Sequence, residues 1–304
     1  MSKTIHINSV SQLHQLTNLP KPRHPKVSVV KQSELRNLSD LVGMKIVTDL
    51  YLVIVKKGGC DGFVYGRSSY DFEEGTINFF APGQVVQING NLDDETEHKE
   101  SWKLAFHPDL IRKSELANLI DHFSFFDYDL TEGLHLSEDE KNTIEEILDR
   151  IVKESHQLID NHSQRLIIAN IQLLLEYCLR FYDRQFYMRS NINSDIVARF
   201  EKLLKEYFKT GKVYDLGVPS VGYCASQLNL SPNYFSDLLK KETGKSAQEH
   251  IHSFIIERAK YRLLSSSDSI SEIGYALGFT YSSNFSNLFK AKTGMSPRKF
   301  RNSS

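Results

Sequence analysis

The sequence predicts an α+β protein with a sheet-rich amino half, a helical hairpin and an internally duplicated, all-α carboxyl region. Three observations carry that reading. Short runs of β-branched and aromatic residues, separated by Gly, Pro and Asp, fill residues 1 to about 130. At Leu136 the apolar period lengthens to that of a helix. From Asp195 onward every periodic stretch is helical, and one segment occurs twice. A length of 304 residues fits two domains, and 40% hydrophobic with 25% charged residues is the composition of a soluble globular chain. Fibrous and disordered classes are excluded.

Lys45–Val55 is the strongest strand signal, ended by the turn-like stretch Lys56–Gly62. Phe63–Tyr65, Tyr70–Phe72, Gly75–Phe80, Gln84–Ile88 and Trp102–Phe106 follow as further strands, with Pro82-Gly83 as a turn. Short strands so closely spaced predict a sandwich or barrel. Ser137, with Glu140 three residues on, forms a capping box that opens a helix carrying Ile144, Ile147, Leu148, Ile151 and Val152 on one face. A second helix runs from about Ser163 to Met188, with Leu166, Ile167, Ile171, Leu174, Leu175, Cys178, Phe181 and Tyr182 on a broad face. Asp160–His162 joins the two. This hairpin has two compatible roles, packing on the sheets and self-association through an apolar stripe. Arg189–Ser194 reads as a linker, and Asp195–Lys209 as an amphipathic helix ending at Gly211.

The duplication pairs Cys224–Ser246 with Ile273–Ser296. Ala225 matches Gly274, Leu228 matches Leu277 and Leu230 matches Phe279. Past the turn the offset grows by one residue, so that Phe235 matches Phe285, Lys240 matches Lys290 and Gly244 matches Gly294. Each copy fits a helix-turn-helix. A small residue in the first helix admits a close crossing, Leu228–Leu230 or Leu277–Phe279 turns the chain, and Gly278 can take positive φ there. A hydroxyl N-cap (Ser231; Ser282 or Thr280) then starts the second helix. Phe235, Leu238 and Leu239, like Phe285, Leu288 and Phe289, point inward. Asn233, Ser236, Asp237 and Lys240, with Ser283, Ser286, Asn287 and Lys290, form outer faces suited to base edges and phosphates. A connecting helix, Ala247–Leu264, buries Ile251, Phe254, Ile255, Ala259 and Leu263, and sends Arg258, Lys260 and Arg262 outward. At about 27 Å it could set the two units into neighbouring major-groove segments.

Charge is unevenly shared. From Asp195 there are 16 basic and 10 acidic residues, a net of +6, against 21 and 28 before it, a net of −7. The basic end suits an anionic polymer. The amino terminus has no apolar signal-peptide core, Leu166–Leu175 is too short to span a bilayer, and Cys60, Cys178 and Cys224 form no disulfide or metal spacing. A cytoplasmic protein without a membrane partner is the expectation.

Three stretches carry a family likeness: Ile270-Ser-Glu-Ile-Gly-Tyr-Ala-Leu-Gly-Phe279, Asn284-Phe-Ser-Asn-Leu-Phe-Lys290 and Thr293-Gly-Met-Ser-Pro-Arg-Lys-Phe-Arg301. Together they resemble the signature of the AraC/XylS family of transcription regulators, over about residues 215–302. The resemblance implies double-stranded DNA as partner. By position it puts base-reading roles on Asn233, Ser236 and Asp237 in the first unit and on Ser282, Ser283, Ser286 and Asn287 in the second. Two departures stand out. Family members often have Arg or Gln where this chain has Asp237 and Asn287, so bidentate guanine reading by Arg is absent. Gly274 stands where Ala is usual, which predicts a looser first helix in the second unit, contributing affinity more than sequence choice.

The resemblance further implies a cupin-like effector-sensing barrel over 1–135, a dimerising hairpin over 136–190 and the DNA-binding domain over 191–304. It also implies a homodimer, a small-molecule effector of unidentified kind and RNA polymerase as a further partner. Gly75 to Pro82-Gly83 resembles the second cupin motif, but Val86 stands where metal-binding cupins have His and no HxH precedes it. No catalytic residues, metal or cofactor are therefore expected. A cupin-type metal enzyme and a ligand-independent regulator with a merely structural barrel are the alternative readings.

Overall fold

The computed structural model describes residues 4–35, 43–57, 75–87, 101–157, 160 and 162–302. The chain divides into two compact units, residues 1–188 and 189–304.

The first unit begins with β1 (Thr4–Ile7), α1 (Val10–Leu16) and β2 (Val27–Lys31). Six strands follow: β3 (Lys45–Thr48), β4 (Tyr51–Lys57), β5 (Gly75–Phe80), β6 (Val85–Gln87), β7 (Trp102–Phe106) and β8 (Leu134–Leu136). Between β7 and β8 lie the short helices α2 (Pro108–Ile111) and α3 (Leu116–Leu119). The strands form a three-stranded sheet, β1-β3-β6, and a five-stranded antiparallel sheet, β2-β7-β4-β5-β8. The strand spacing predicts a sandwich or barrel and the family resemblance implies a cupin-like barrel; the structure shows two sheets, and no closed barrel is found among the described residues. The single strand expected at Lys45–Val55 is also broken. Thr48, Asp49 and Leu50 turn the chain from one sheet to the other, with the Leu50 N–H donating to Thr48 Oγ1 and the Gly83 N–H to the Thr48 carbonyl. The strands expected at Phe63–Tyr65 and Tyr70–Phe72 lie outside the described residues.

Strand alternation gives the large sheet two unlike faces. One face carries Val53, Val55, Ile77, Phe79, Trp102, Leu104, Phe106, Leu134 and Leu136, all buried. It is covered by the helical hairpin of α4 (Glu138–Ser155) and α5 (Ser163–Met188), where the Tyr182 ring meets Phe79 and Phe125. The other face carries Ser28, Leu52, Ile54, Lys56, Thr76, Asn78, Lys103 and Ala105. There Leu52 and Ala105 pack with Ile5, Ile7, Val10 and Ile46 from the small sheet and α1.

The first helix of the hairpin has its predicted capping box, and the second gains a cap from the joining segment. Ser137 and Glu140 form the capping box of α4, and the Asp160 carboxylate accepts the N–H groups of His162 and Ser163 at the start of α5. Leu166 departs from the predicted inner face and is 46% exposed. Arg184 ties the hairpin to β8, donating through Nε and Nη2 to the Glu140 carboxylate (3.0 and 2.7 Å) and through Nη2 to the His135 carbonyl. Because both partners are largely sheltered from solvent, Arg184→Ala takes the charged partner from the Glu140 carboxylate and leaves it the Ser137 N–H. A loss of about 2 kcal/mol in unfolding free energy is expected in a denaturant titration.

The second unit is all helical. Arg189–Ser194, predicted as a linker, opens a helix instead: α6 runs Ser190–Lys209, with Arg189 as its N-cap residue and buried. A polar run such as Ser-Asn-Ile-Asn-Ser looks like loop but reads equally as the solvent face of a helix whose Asn193 is buried and bonded to Glu242. Beyond lie α7 (Lys212–Leu216), α8 (Val221–Gln227), α9 (Pro232–Thr243), α10 (Ala247–Ser265), α11 (Ile270–Ala276), α12 (Ser282–Thr293) and α13 (Pro297–Asn302). One continuous core runs from Phe200 in α6 to Phe289 in α12. No described helix is long and apolar enough to cross a membrane.

Candidate nucleic-acid interface

The two sequence copies turn alike. In the first, α8 ends at Leu228, Asn229 takes φ +57°, and the Leu230 N–H reaches back to the Ala225 carbonyl at 3.0 Å. In the second, α11 ends at Leu277, Gly278 takes φ +92°, and the Phe279 N–H reaches the Gly274 carbonyl at 3.1 Å. This is the left-handed helix stop, with the bond from the second residue past the cap closing over the turn. The extra residue of the second copy is Thr280, inserted between that stop and the next helix.

The insertion changes the cap. Ser231 caps α9 by accepting the Tyr234 N–H, as predicted. In the second copy neither Thr280 nor Ser282 does so: the N-cap residue is Tyr281, which makes no side-chain cap hydrogen bond. One more residue shifts the hydroxyls out of phase with the first turn. Downstream the copies converge again. Gly244 (φ +75°) and Gly294 (φ +78°) end α9 and α12, and the Thr243 and Thr293 hydroxyls donate to the Leu239 and Phe289 carbonyls. Ser246 and Ser296 then start α10 and α13, with Glu249 completing a capping box in the first case. Backbone and hydroxyl hydrogen bonds from Ser246 lower the Glu249 carboxyl below its ordinary pKa, and those from Ser269 do the same for Glu272 at the start of α11.

Helix contacts follow from small residues. Ala225 and Gly274 are fully buried where α8 crosses α9 and α11 crosses α12. A Cβ on Gly274 would lie 3.3 Å from Phe285, so the glycine draws α11 against α12; both α8 and α11 are seven residues long. Inside the two second helices, Phe235, Leu238 and Leu239 are buried as predicted, as are Phe285 and Phe289, with Leu288 only partly covered. Tyr234 is buried too, its hydroxyl accepting from Arg189 at 3.3 Å. Sequence periodicity missed this pair, because a tyrosine beside a predicted linker gives no signal for a long-range hydrogen bond.

On the outer faces, Asn233, Lys240, Ser283, Asn287 and Lys290 are exposed, and Ser236, Asp237, Ser282 and Ser286 are half-buried. The candidate residues of each copy therefore share one polar helix face. The connector residues fare differently. The Arg258 guanidinium lies over the Phe208 ring (5.0 Å) and the Phe254 ring (5.7 Å), and burial lowers its pKa. Lys260 pairs with Glu257 at 2.7 Å. Arg262 is half-buried, and its carbonyl accepts from Ser266. Burial also lowers His250 and His252, so neither adds positive charge at neutral pH.

The connector α10 has 19 residues, about 28 Å of helix. It touches α9 on one side and α11, α12 and α13 on the other. Ile256, outside the predicted stripe, is buried with Ile251, Ile255, Ala259 and Leu263, because a helix packed on two sides needs apolar residues beyond one stripe. Among the described residues, no group of three His, Cys, Asp or Glu side chains is placed to hold a metal ion.

A family model described as "Helix-turn-helix domain" matches residues 224–303. The chain is 41% identical over 71 residues to the uncharacterized HTH-type transcriptional regulator YobQ of Bacillus subtilis, covering 23% of this chain and 30% of that protein. It is 29% identical over 137 residues to the HTH-type transcriptional activator RhaS of Salmonella schwarzengrund, covering 44% of this chain and 46% of that one. These alignments span about half or less of the relatives' lengths. Among solved structures, the C-terminal domain of AraT, a response regulator from Geobacillus stearothermophilus, matches 36% of this chain and 85% of that domain at 29% identity, with a TM-score of 0.32.

Proposed function

From a helix-turn-helix domain of the AraC type at residues 224–303, we propose that the protein is a sequence-specific DNA-binding transcription regulator controlled by a small molecule. The observation that carries it is the doubled unit: two turns with the same hydrogen bonds, each presenting a polar helix face, joined by one continuous helix. In this reading α9 and α12 enter successive major-groove segments. Asn233, Ser236 and Asp237, with Ser282, Ser283, Ser286 and Asn287, meet base edges and nearby phosphates, while Lys240 and Lys290 meet phosphates. The amino terminus of α12, lacking a side-chain cap, offers backbone N–H groups to a phosphate. Arg262 adds charge toward the backbone; Arg258, stacked on two rings, contributes through packing of α10 more than through direct contact.

The proposal extends to the rest of the chain. The two facing sheets are a cupin-like effector-sensing region over 1–135, and the hairpin, 136–190, holds a homodimer with Leu166 and Leu173, both partly exposed, at its seam. The DNA-binding domain takes 191–304, and RNA polymerase is a partner once the protein is on DNA. A gel shift of genomic fragments from the source organism at several salt concentrations tests the core of this reading. A sequence-preferring complex is expected; binding that is equal on all fragments overturns it.

The residue roles give a sharper outcome. Lys240→Ala and Lys290→Ala are each expected to weaken binding similarly on all sequences and to lower the salt slope by about one unit. Asn233→Ala is expected to relax preference at one base position and leave the slope unchanged. If Asn233→Ala lowers the slope as the lysine changes do, the role assignment is wrong.

A further inference from the structure

On the face of the large sheet that bears Leu52 and Ala105, the antiparallel register brings polar side chains together. Lys103 on β7 stands opposite Ile54 on β4, and Ile54 stands opposite Asn78 on β5. One row along, Lys56 on β4 faces Thr76 on β5, which faces His135 on β8; the β4–β7 register carried one step further sets Ser101 beside Lys56. Two rows of one sheet face therefore hold two ammonium groups, two hydroxyls, an amide and the His135 imidazole. The next row on the same face carries Ala105, Leu52 and Phe80, with Ser28 at its β2 end, where the hydroxyl is hydrogen-bonded to His14 Nε2.

A face turned toward a second sheet ordinarily fills with packed hydrocarbon. Here Thr76 is fully buried and Ser101 nearly so, yet Thr76 Oγ1 and Ser101 Oγ have no hydrogen-bond partner. Among the described residues, the Lys103 and Lys56 ammonium groups make no ion pair or hydrogen bond. A sheltered cation and sheltered hydroxyls without acceptors are costly unless something supplies the missing partners. Among the described residues, the covered, opposite face of the same sheet holds no comparable cluster.

We infer that this inner face is a receptor for a small organic anion, whose charged group sits among Lys103, Lys56, Thr76 and Ser101 and whose carbon skeleton lies along Ile54, Leu52 and Phe80. Its regulatory meaning rests on the effector-controlled reading above; the binding itself does not. Burial pushes the Lys103 ammonium down to about 8, with the Lys56 charge acting in the same direction, and an incoming anion offsets both effects. A neutral ligand would leave two like charges sheltered side by side.

The test uses the full chain at neutral pH, with octanoate, benzoate and glycerol phosphate as probes and octanamide, benzamide and glycerol as their uncharged counterparts. Thermal shift and calorimetric titration are the readouts. At least one anion is expected to raise Tm while its neutral counterpart does not, and the carboxylate and phosphate arms tell the two anion classes apart. Lys103→Met is expected to weaken that anion about tenfold or more and to raise the Tm of the ligand-free protein. Thr76→Val is expected to weaken it less, again without lowering the ligand-free Tm. The inference is overturned if no anion shifts Tm at millimolar concentration, if neutral counterparts bind as well, or if Lys103→Met keeps its affinity. A drop in ligand-free Tm, or failure to fold, for Lys103→Met also overturns it, because Lys103 would then be held by the fold for its own stability. Anion binding without any DNA complex would sink the regulator reading alone; a specific DNA complex without anion binding would sink this one alone.

Discussion

Gly278→Ala is expected to cost the carboxyl-terminal unit about 3 kcal/mol or more and to abolish DNA binding. Two independent causes add. The residue sits at φ +92°, and a Cβ there would lie 2.7 Å from the Gly217 carbonyl carbon and from Val213 Cγ2, and 2.8 Å from the Val218 N. Two of those atoms are backbone and cannot rotate away. They also belong to the α7–α8 connection, where the Gly217 carbonyl accepts the Tyr207 hydroxyl, so relief at Gly278 disturbs the packing of α6. The equivalent position of the first copy is the control. Asn229 already carries a side chain at φ +57°, and Asn229→Gly is expected to change stability by about 0.5 kcal/mol at most. Denaturant unfolding followed by far-ultraviolet circular dichroism reads the helical unit. The single Trp, Trp102, reports the sheet unit by fluorescence and should be indifferent. A cost under about 1 kcal/mol for Gly278→Ala would mean that the turn relaxes and that the steric account is wrong.

Phe285→Ala is expected to lose about 4–5 kcal/mol, at the upper end for truncating a buried phenylalanine. Its ring is fully buried, contacts the Phe279 and Phe289 rings at 5.6 and 5.9 Å, and abuts Gly274. A glycine neighbour has no side chain to swing into the hole, so the cavity stays open. Phe285→Leu should recover part of the loss. An alanine variant as stable as the leucine one would show that α11 collapses onto α12, contrary to this packing.

Much of the carboxyl-terminal unit was legible because its signals are local. Hydroxyl caps, glycine stops and the apolar period each act within a few residues, and the duplication doubles every signal. The buried trio Phe235, Leu238 and Leu239 and the bounds of α10 follow directly. What failed depended on phase or distance. The single residue Thr280 moves the cap from a serine to Tyr281, and no composition rule counts that register. Arg189–Ser194 is helical because Asn193 and Arg189 find partners in α9, some 45 residues on. In the sheets, Lys45–Val55 is interrupted only at Thr48-Asp49, and a Thr-Asp pair inside an otherwise apolar run does not by itself mark a change of sheet. The candidate DNA-facing positions came out of the repeat itself. Lys103 escaped notice because one lysine in an alternating strand reads as an ordinary solvent-facing residue; only the register sets it on the sheet face shared with Lys56 and Thr76.

The two-sided packing of α10 has a further consequence. Since its residues serve the hydrophobic interiors of both halves, the duplicated modules cannot melt, drift or be exchanged one at a time. An added residue in that rod would turn the second half by about 100° about the axis and unseat its contacts. The separation at which two recognition elements can be offered is thus quantised by whole helical turns, and natural lengthening or shortening must proceed in such steps or not at all.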